Sequence, residues 1–133
     1  MSNEHRLVRV KIVLLGDGAV GKTSIAKRYL GHGFIQEYKA TIGVDFYIKK
    51  TELTLNDSKF LIEWSIWDLA GQPHWKEVRP GFYAGAQGAL IVFDVTRKQT
   101  LLNVIEWTNE FIKNSGHSIK TINEVVTGVP SKS

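Results

Sequence analysis

The fold of this chain is decided by residues 16–23, which read Gly16-Asp17-Gly18-Ala19-Val20-Gly21-Lys22-Thr23. They match the pattern G-x-x-x-x-G-K-[ST] at every fixed position. The preceding residues 8–15 predict a strand in a buried sheet, and residues 23–30 predict a helix. The predicted apolar face of this helix consists of Ile25, Ala26, Tyr29 and Leu30. The order of strand, turn and helix favours a phosphate-binding loop over a glycine-rich turn that only caps a structural helix.

Each residue type in this loop suits a bound phosphate group. Glycines allow backbone angles and close approaches that a Cβ would block. Backbone N–H groups and the helix N-terminus then form a nest for phosphate oxygens. Lys22 would bring a positive charge to the β- and γ-phosphates, and the Thr23 hydroxyl would ligate Mg²⁺. The predicted nucleotide-binding residues of this segment are Gly16, Asp17, Gly18, Ala19, Val20, Gly21, Lys22, Thr23 and Ser24.

The composition predicts one domain over residues 1–133. Of the 133 residues, 43% are hydrophobic, which is enough for a real core, and no linker or repeat divides the chain. The net charge of +4 comes from scattered Lys and Arg side chains, so we expect no nucleic-acid partner.

The sequence shows no signal for export or membrane attachment. It has no cysteine, which excludes disulfides and prenylation in this chain. Residues 1–6 are polar, and Ser2 stands where N-myristoylation requires glycine. No apolar run approaches the roughly 20 residues of a membrane span. We therefore expect a soluble, cytoplasmic protein with no lipid anchor in this chain.

The rest of the chain predicts strands that alternate with helices. The predicted elements are a surface loop over 31–42, an antiparallel hairpin of 46–55 and 60–66 with its turn at 56–58, a doubly covered strand over 89–93, a helix over 100–114 and a possible strand over 124–128. This alternation predicts an α/β sheet that binds its ligand at the carboxyl ends of the strands.

A second informative run is Trp67-Asp68-Leu69-Ala70-Gly71-Gln72. Asp68 ends an alternating strand, where its carboxylate could reach the shell of a Mg²⁺ ion. Gly71 could approach a γ-phosphate closely, and Gln72 has the donor and the acceptor needed to hold an attacking water. Thr41, in the polar loop, could join the metal shell when a γ-phosphate orders the loop. Alone, such an Asp is also typical of a cap or turn, but this order after a phosphate loop favours a nucleotide site.

These motifs resemble those of the Ras-superfamily small GTPases, most closely the Rab family. The matching segments are 16–23, 41–46, 67–72, 82–86 and 93–96, and the match extends to about Trp107. The resemblance implies the P-loop NTPase fold of small GTPases, with a mostly parallel sheet and helices on both faces. It also implies a molecular switch that binds GTP or GDP with Mg²⁺ and hydrolyses GTP slowly.

The resemblance assigns roles to single residues. The implied Mg²⁺ ligands are Thr23 and Thr41, with Asp68 acting on the metal largely through water. Gln72 would position the water while Lys22 stabilises the developing charge. A small residue is required at Gly18 so that Gln72 and an incoming arginine fit beside the γ-phosphate. Other implied nucleotide contacts are Phe34 against the guanine base, Tyr38 and Gly71. For Phe34, packing onto the core is the alternative.

The resemblance also implies protein partners. Effectors, exchange factors and GTPase-activating proteins would bind through two switch regions, residues 34–43 and 71–83. Phe46, Trp67 and Phe82 match the aromatic trio that Rab proteins offer to effectors, although these side chains could equally be core.

Three departures from the family pattern stand out. Leu69 replaces the usual Thr or Ser, and Pro73-His74-Trp75 replaces an acidic-or-Arg stretch. Because proline fixes φ and removes one N–H, we expect the second switch region to be stiffer at its start. No Asn-Lys-x-Asp guanine motif is found, residues 121–133 diverge, and the last strand and helices of the family domain are expected to be missing. An alternative function is therefore a catalytically impaired P-loop remnant that acts as a protein-interaction module without base selectivity.

Overall fold

The computed structural model describes residues 6–31, 43–72 and 75–116, together with the backbone of residues 34–39. In chain order the elements are β1 (Arg6–Leu15), α1 (Lys22–Leu30), β2 (Phe34–Lys39), β3 (Val44–Leu55), β4 (Ser58–Leu69), a 3-10 helix (Arg79–Phe82), β5 (Gly88–Ile91), α2 (Lys98–Leu102) and α3 (Val104–Ser115). Within these ranges, no helix is long and apolar enough to cross a membrane.

The strands form one mixed sheet in the order β2-β3-β4-β1-β5. β1 is parallel to both β4 and β5, whereas β3 is antiparallel to both β2 and β4. The sequence predicts a mostly parallel sheet, whereas half of the strand pairs in the described part are antiparallel, because β3 runs antiparallel to both of its neighbours, β2 and β4. Leu14 lies beside Asp68 in register, so the carboxyl ends of β1 and β4 meet at one edge.

The predicted hairpin is confirmed. β3 and β4 pair without interruption from Val44 opposite Leu69 to Leu55 opposite Ser58. Asn56 and Asp57 make the turn with φ angles of 50° and 66°, a left-handed conformation that these two residue types tolerate.

The surface loop predicted over residues 31–42 is wrong in its centre, because Phe34–Lys39 form strand β2. This strand pairs antiparallel with β3, with Tyr38 opposite Asp45. β2 lies at the edge of the described sheet, where one side of a strand has no partner strand. Polar residues suit such an edge, so the polarity that indicated a loop is compatible with a strand.

The helix predicted over residues 100–114 is two helices, α2 and α3, which are separated by Asn103. The Asn103 amide group donates a hydrogen bond to Asp17, which fixes the chain at this break. The strand predicted over 89–93 is shorter and runs from Gly88 to Ile91, although the N–H of Val92 still bonds to the carbonyl oxygen of Leu15 at 2.8 Å.

Helices lie on both faces of the sheet, as predicted. Val13 and Leu15 join a core cluster with Trp107 and Phe111 of α3. Leu14, between them in β1, joins a second cluster with Ala26 and Leu30 of α1. Successive strand residues point to opposite faces, so α1 and α3 cover opposite sides of the sheet.

The apolar face of α1 is narrower than the sequence predicts. Its buried residues are Lys22, Ala26 and Leu30, which are spaced four apart. Tyr29 was predicted on this face, but it is 70% exposed because it lies beside the buried stripe. The same stripe points the first residue of α1, Lys22, into the molecule at the edge of the sheet.

Candidate functional site

A cavity of about 440 Å³ opens where β1 and β4 end. It is lined by Gly18, Ala19, Lys22, Thr23, Gly43, Asp45, Asp68, Ala70, Gly71, Gln72 and Trp75. The structure thus brings together segments that are far apart in the sequence: the loop before α1, the start of β3 and the chain that follows β4.

The predicted phosphate loop connects β1 directly to α1. Gly16 has a φ angle of 143°, and a Cβ at this position would overlap the carbonyl oxygen of Val92. Gly21 caps α1 with a φ angle of 99°, and its carbonyl oxygen accepts the N–H of Ile25 at 2.9 Å. These two positions require glycine, which explains the first and last glycines of the motif.

Lys22 is only 7% exposed and lines the cavity. Burial lowers the pKa of its ammonium group, while the nearby carboxylates of Asp68 and Asp17 raise the pKa and Arg79 lowers it. A buried cation at the N-terminus of a helix is a favourable environment for an anionic ligand such as phosphate.

Thr23 and Asp68 meet at the cavity wall. The Thr23 hydroxyl donates a hydrogen bond to Oδ2 of Asp68 at 2.6 Å. Asp68 is 6% exposed, and burial raises the pKa of its carboxyl group. The hydrogen bond from Thr23 and the charge of Lys22 act in the opposite direction. Hydroxyl and carboxylate oxygens of this kind are the ligands that a small divalent cation prefers.

Asp45 is a site residue that the sequence reasoning missed. It lies directly opposite Asp68 in the hairpin register and lines the same cavity. Its charge contributes to raising the pKa of Asp68. The signal was available in the hairpin, because its alternation places the two carboxylates on one face. Across the described ranges, no three His, Cys, Asp or Glu side chains are grouped to hold a metal ion, so a cation here would also need the Thr23 hydroxyl.

Gly71 packs directly against the phosphate loop. A Cβ on Gly71 would overlap the carbonyl oxygen of Gly16 and lie 3.0 Å from the carbonyl carbon of Asp17. Gln72 follows and lines the cavity beside Gly18. A Cβ on Gly18 would lie 3.7 Å from Nε2 of Gln72, an ordinary contact distance. The predicted neighbours of a γ-phosphate are therefore next to one another.

The carboxylate of Asp17, a predicted loop residue, is bonded outside the cavity. Its carboxylate accepts hydrogen bonds from Nδ2 of Asn103 at 2.8 Å and from Nε1 of Trp107 at 2.9 Å. The side chain is thereby directed to α3 instead of the cavity. Only Gly18, Ala19, Lys22 and Thr23 of the nine predicted loop residues line the cavity wall.

Arg97 is a second residue that the sequence did not predict at the site, and it contacts the phosphate loop. Its Nη2 donates to the carbonyl oxygens of Gly18 and Ala19 at 3.1 and 2.9 Å, and its Nε bonds to Asp94 at 3.2 Å. No local pattern marks such a contact, since almost 80 residues separate the partners.

Phe46, Trp67 and Phe82 form an aromatic cluster. The rings of Phe46 and Trp67 are 4.8 Å apart, and those of Trp67 and Phe82 are 5.7 Å apart. The ammonium group of Lys11 lies 4.3 Å from the centre of the Trp67 ring. All three aromatic side chains are partly buried against the core, so the cluster is both packed and accessible.

Some predicted site residues lie outside the described residues. Thr41 is one of them, and for Phe34 and Tyr38 only the backbone is described. Pro73 and His74 of the second switch region also lie outside. Residues 117–133, which include the predicted strand over 124–128 and the divergent tail, are also outside.

Comparison with known proteins identifies the family. Residues 11–129 match the Ras family. The GTP-binding protein yptV5 of Volvox carteri is 42% identical over 118 residues, which cover 89% of this chain and 55% of that protein. The Ras-related protein Rab-11C of Dictyostelium discoideum is 46% identical over 75% of this chain and 43% of its own length. The Ypt/Rab-type GTPase YPT7 of Saccharomyces cerevisiae is 38% identical over 90% of this chain and 56% of its own length.

The chain spans about half the length of the curated relatives it matches. The match covers the phosphate loop, the hairpin and the segment after β4, which are the parts that build the cavity. By this match and this geometry, the chain belongs to the Ras family and is Rab-like.

Proposed function

We propose that this chain binds GTP and GDP with Mg²⁺ as a molecular switch that hydrolyses GTP slowly. One observation carries the proposal: Lys22, Thr23 and Asp68 meet at a single cavity behind a glycine-rich loop. The names of the relatives, which describe GTP-binding and Rab proteins, support guanine as the base.

The donor set at the cavity fits Mg²⁺. Thr23 offers a hydroxyl oxygen, Asp68 a buried carboxylate, and Asp45 a second carboxylate on the same wall. Hard oxygen donors of this kind suit Mg²⁺, which keeps several waters when it is bound through one or two protein ligands and phosphates. Thr23 would be a direct ligand and Asp68 would act largely through water. When bound, the ion would neutralise charge on the β- and γ-phosphates. Thr41 is proposed as a further ligand from the resemblance alone.

The chain's own residues have separate tasks in hydrolysis. Gln72 would hold the attacking water, because it lines the cavity next to Gly18 and Gly71. Lys22 would stabilise the charge that develops on the transferred phosphoryl group. We do not assign Arg79 to this charge, because its guanidinium group is engaged with Glu110. An arginine from another protein would raise the rate by about 10³–10⁵.

The two switch regions would carry protein partners. The aromatic cluster includes Phe82 of the second switch region, together with Phe46 and Trp67 of the hairpin, and would offer apolar rings to an effector. Exchange factors and GTPase-activating proteins would bind the same side, where they reach the cavity. We place this function in the cytoplasm, as a regulator of membrane trafficking by analogy with Rab proteins.

Equilibrium titration with a fluorescent GDP analogue tests the binding proposal. Lys22→Ala removes the buried ammonium group and should weaken affinity by about 100-fold or more, which corresponds to about 2.7 kcal/mol. Lys27→Ala is the matched control, since Lys27 is an exposed lysine in the same helix. Equal affinities of Lys22→Ala and Lys27→Ala would contradict a phosphate role for the loop.

The alternative function is a protein-interaction module without base selectivity. The partly exposed aromatic cluster favours it. A chain that shows no affinity for any nucleotide, yet loses binding to a protein partner on Phe46→Ala, would establish this alternative.

A further inference from the structure

Arg79 holds the backbone on both sides of Gly71. Its guanidinium group is buried, and Nη1 donates to the carbonyl oxygens of Ala70 at 3.0 Å and of Gln72 at 3.3 Å. The other two nitrogens, Nε and Nη2, each bond to one carboxylate oxygen of Glu110 at 3.1 Å. One side chain therefore ties the segment that follows β4 to helix α3.

This attachment determines where Gln72 lies. The Gln72 side chain is exposed at the cavity, so packing around it contributes little to its position. Its backbone is confined instead, since Gly71 packs against the phosphate loop and Arg79 holds the carbonyl groups before and after Gly71. Arg79 therefore sets the backbone position from which the Gln72 side chain extends into the cavity.

Helix α3 also holds the phosphate loop, through Trp107, which lies one helical turn before Glu110. The Trp107 ring lies 4.4 Å from Cζ of Arg79, and its Nε1 bonds to Asp17 at 2.9 Å. Glu110 accepts a further hydrogen bond from the hydroxyl of Tyr83. Residues 107 and 110 are one helical turn apart, so one patch of α3 fixes both the phosphate loop and the Gln72 segment.

We propose that Arg79 is a positioning residue for Gln72, anchored by Glu110 on α3. The proposal rests on the proposed function, in which Gln72 holds the attacking water. Arg79 is not among the residues that line the cavity, so its proposed role is to set the position of Gln72, which does line it. A displacement of about 1 Å at a reacting centre can cost about 100-fold in rate, so such a role has a measurable effect.

Arg79→Lys is the informative substitution. Lysine keeps the positive charge, but it is a single point donor and cannot bond to both Glu110 oxygens and two carbonyl oxygens from one fixed fork. We expect the rate of single-turnover GTP hydrolysis, at saturating GTP and Mg²⁺, to fall by about 10- to 100-fold. Nucleotide affinity should change by less than about threefold, because Lys22 and the phosphate loop keep their own contacts. Arg28→Lys, at an exposed position of α1, is the matched control, and its rate of GTP hydrolysis should be unchanged.

A double variant separates positioning from general loss of structure. If Arg79 acts through Gln72, Arg79→Lys should slow hydrolysis in the original chain but cause no further slowing in a Gln72→Leu background. A merely structural effect would lower the rate in both backgrounds by the same factor, and this result would overturn the proposal. So would an unchanged rate in Arg79→Lys.

If Arg79→Lys shows no thermal unfolding transition and is therefore not folded, Glu110→Gln is the substitution to test in its place. This substitution preserves the size of the side chain and one carbonyl oxygen, but it removes the charge that holds Arg79. We expect Glu110→Gln to slow GTP hydrolysis as much as Arg79→Lys does, and to cause no further slowing when it is combined with Gln72→Leu. If the two substitutions slow hydrolysis by independent factors, the proposal is overturned. Failure of the unsubstituted chain to bind GTP would instead contradict the proposed function, so the two failures are distinguishable.

Discussion

The Thr23 hydroxyl donates a hydrogen bond to Oδ2 of Asp68 at 2.6 Å, although 45 residues separate the two. Thr23 lies at the start of α1 and Asp68 near the end of β4, so this bond ties the first helix to the sheet at the cavity. The carboxylate is buried, and it accepts from the one hydroxyl of the phosphate motif. Two residues predicted from separate motifs are therefore brought to one place, which is the arrangement that a Mg²⁺ site requires.

Thr23→Ala should abolish most of the Mg²⁺ dependence of nucleotide binding. The variant loses the hydroxyl ligand, and interactions with charged groups are worth about 1.5–3 kcal/mol, or about 10- to 100-fold in affinity. The measurement is the ratio of GDP affinities in Mg²⁺ and in EDTA. Thr23→Ser keeps a hydroxyl and should preserve the ratio. If the ratio in Thr23→Ala is as large as in the original chain, Thr23 is not a ligand of the metal.

Gly16→Ala should lower the free energy of unfolding by about 2 kcal/mol or more. Its φ angle of 143° strains any residue with a Cβ, and that Cβ would overlap the carbonyl oxygen of Val92. Urea unfolding followed by circular dichroism measures the effect. Gly81→Ala is the control, because nothing lies within 4 Å of a Cβ at Gly81. Equal stability of the two variants would contradict the loop conformation.

Gln72→Leu should slow single-turnover GTP hydrolysis by roughly 10- to 100-fold without weakening GTP binding. Leucine has a similar volume but neither donates nor accepts a hydrogen bond, so the attacking water loses its positioning partner. Phosphate release from the preformed GTP complex gives the rate, and a separate titration gives the affinity. An unchanged rate would exclude Gln72 from its proposed role.

Trp75 should report the state of the bound nucleotide by its fluorescence. It lines the cavity, and its ring packs so closely on Gly43 that a Cβ there would lie 2.6 Å from the ring. A γ-phosphate between the two switch regions should change this contact and therefore the emission. Spectra with GDP and with a non-hydrolysable GTP analogue should differ.

Two substitutions assign that signal. Trp75→Phe should remove the spectral difference. Trp64→Phe should retain it, since Trp64 is bonded to Thr51 within the hairpin and lies away from the cavity wall. Identical spectra of the original chain in both nucleotide states would contradict a switch at this site.

The hairpin and the phosphate loop could be predicted because each is encoded locally. Gly16 to Thr23 carry a spaced motif, and residues 60–66 alternate in a way that only a strand satisfies. Strand β2 was missed because an edge strand needs few apolar residues. The break at Asn103 was missed because apolar spacing continues across it.

The contacts that support the site could not be predicted from the sequence. Trp107 bonds to Asp17 across 90 residues, and Arg79 bonds to Glu110 across 31. In a linear pattern, Trp107 looks like a core residue of a helix, and Arg79 looks like a solvated charge. Their roles depend on which helix packs behind the loop, and this becomes visible only when the sheet is assembled.

The most direct test of the central claim is a competition titration of GTP against ATP on this chain, with Mg²⁺ and a fluorescent GDP analogue as the displaced ligand. The account predicts that GTP displaces the analogue at concentrations at least about 100-fold lower than ATP, since a site that hydrogen-bonds its base rejects the wrong base by up to about 10⁴–10⁵-fold. Equal displacement by GTP and ATP, or no binding of the analogue at all, would contradict a guanine-nucleotide switch.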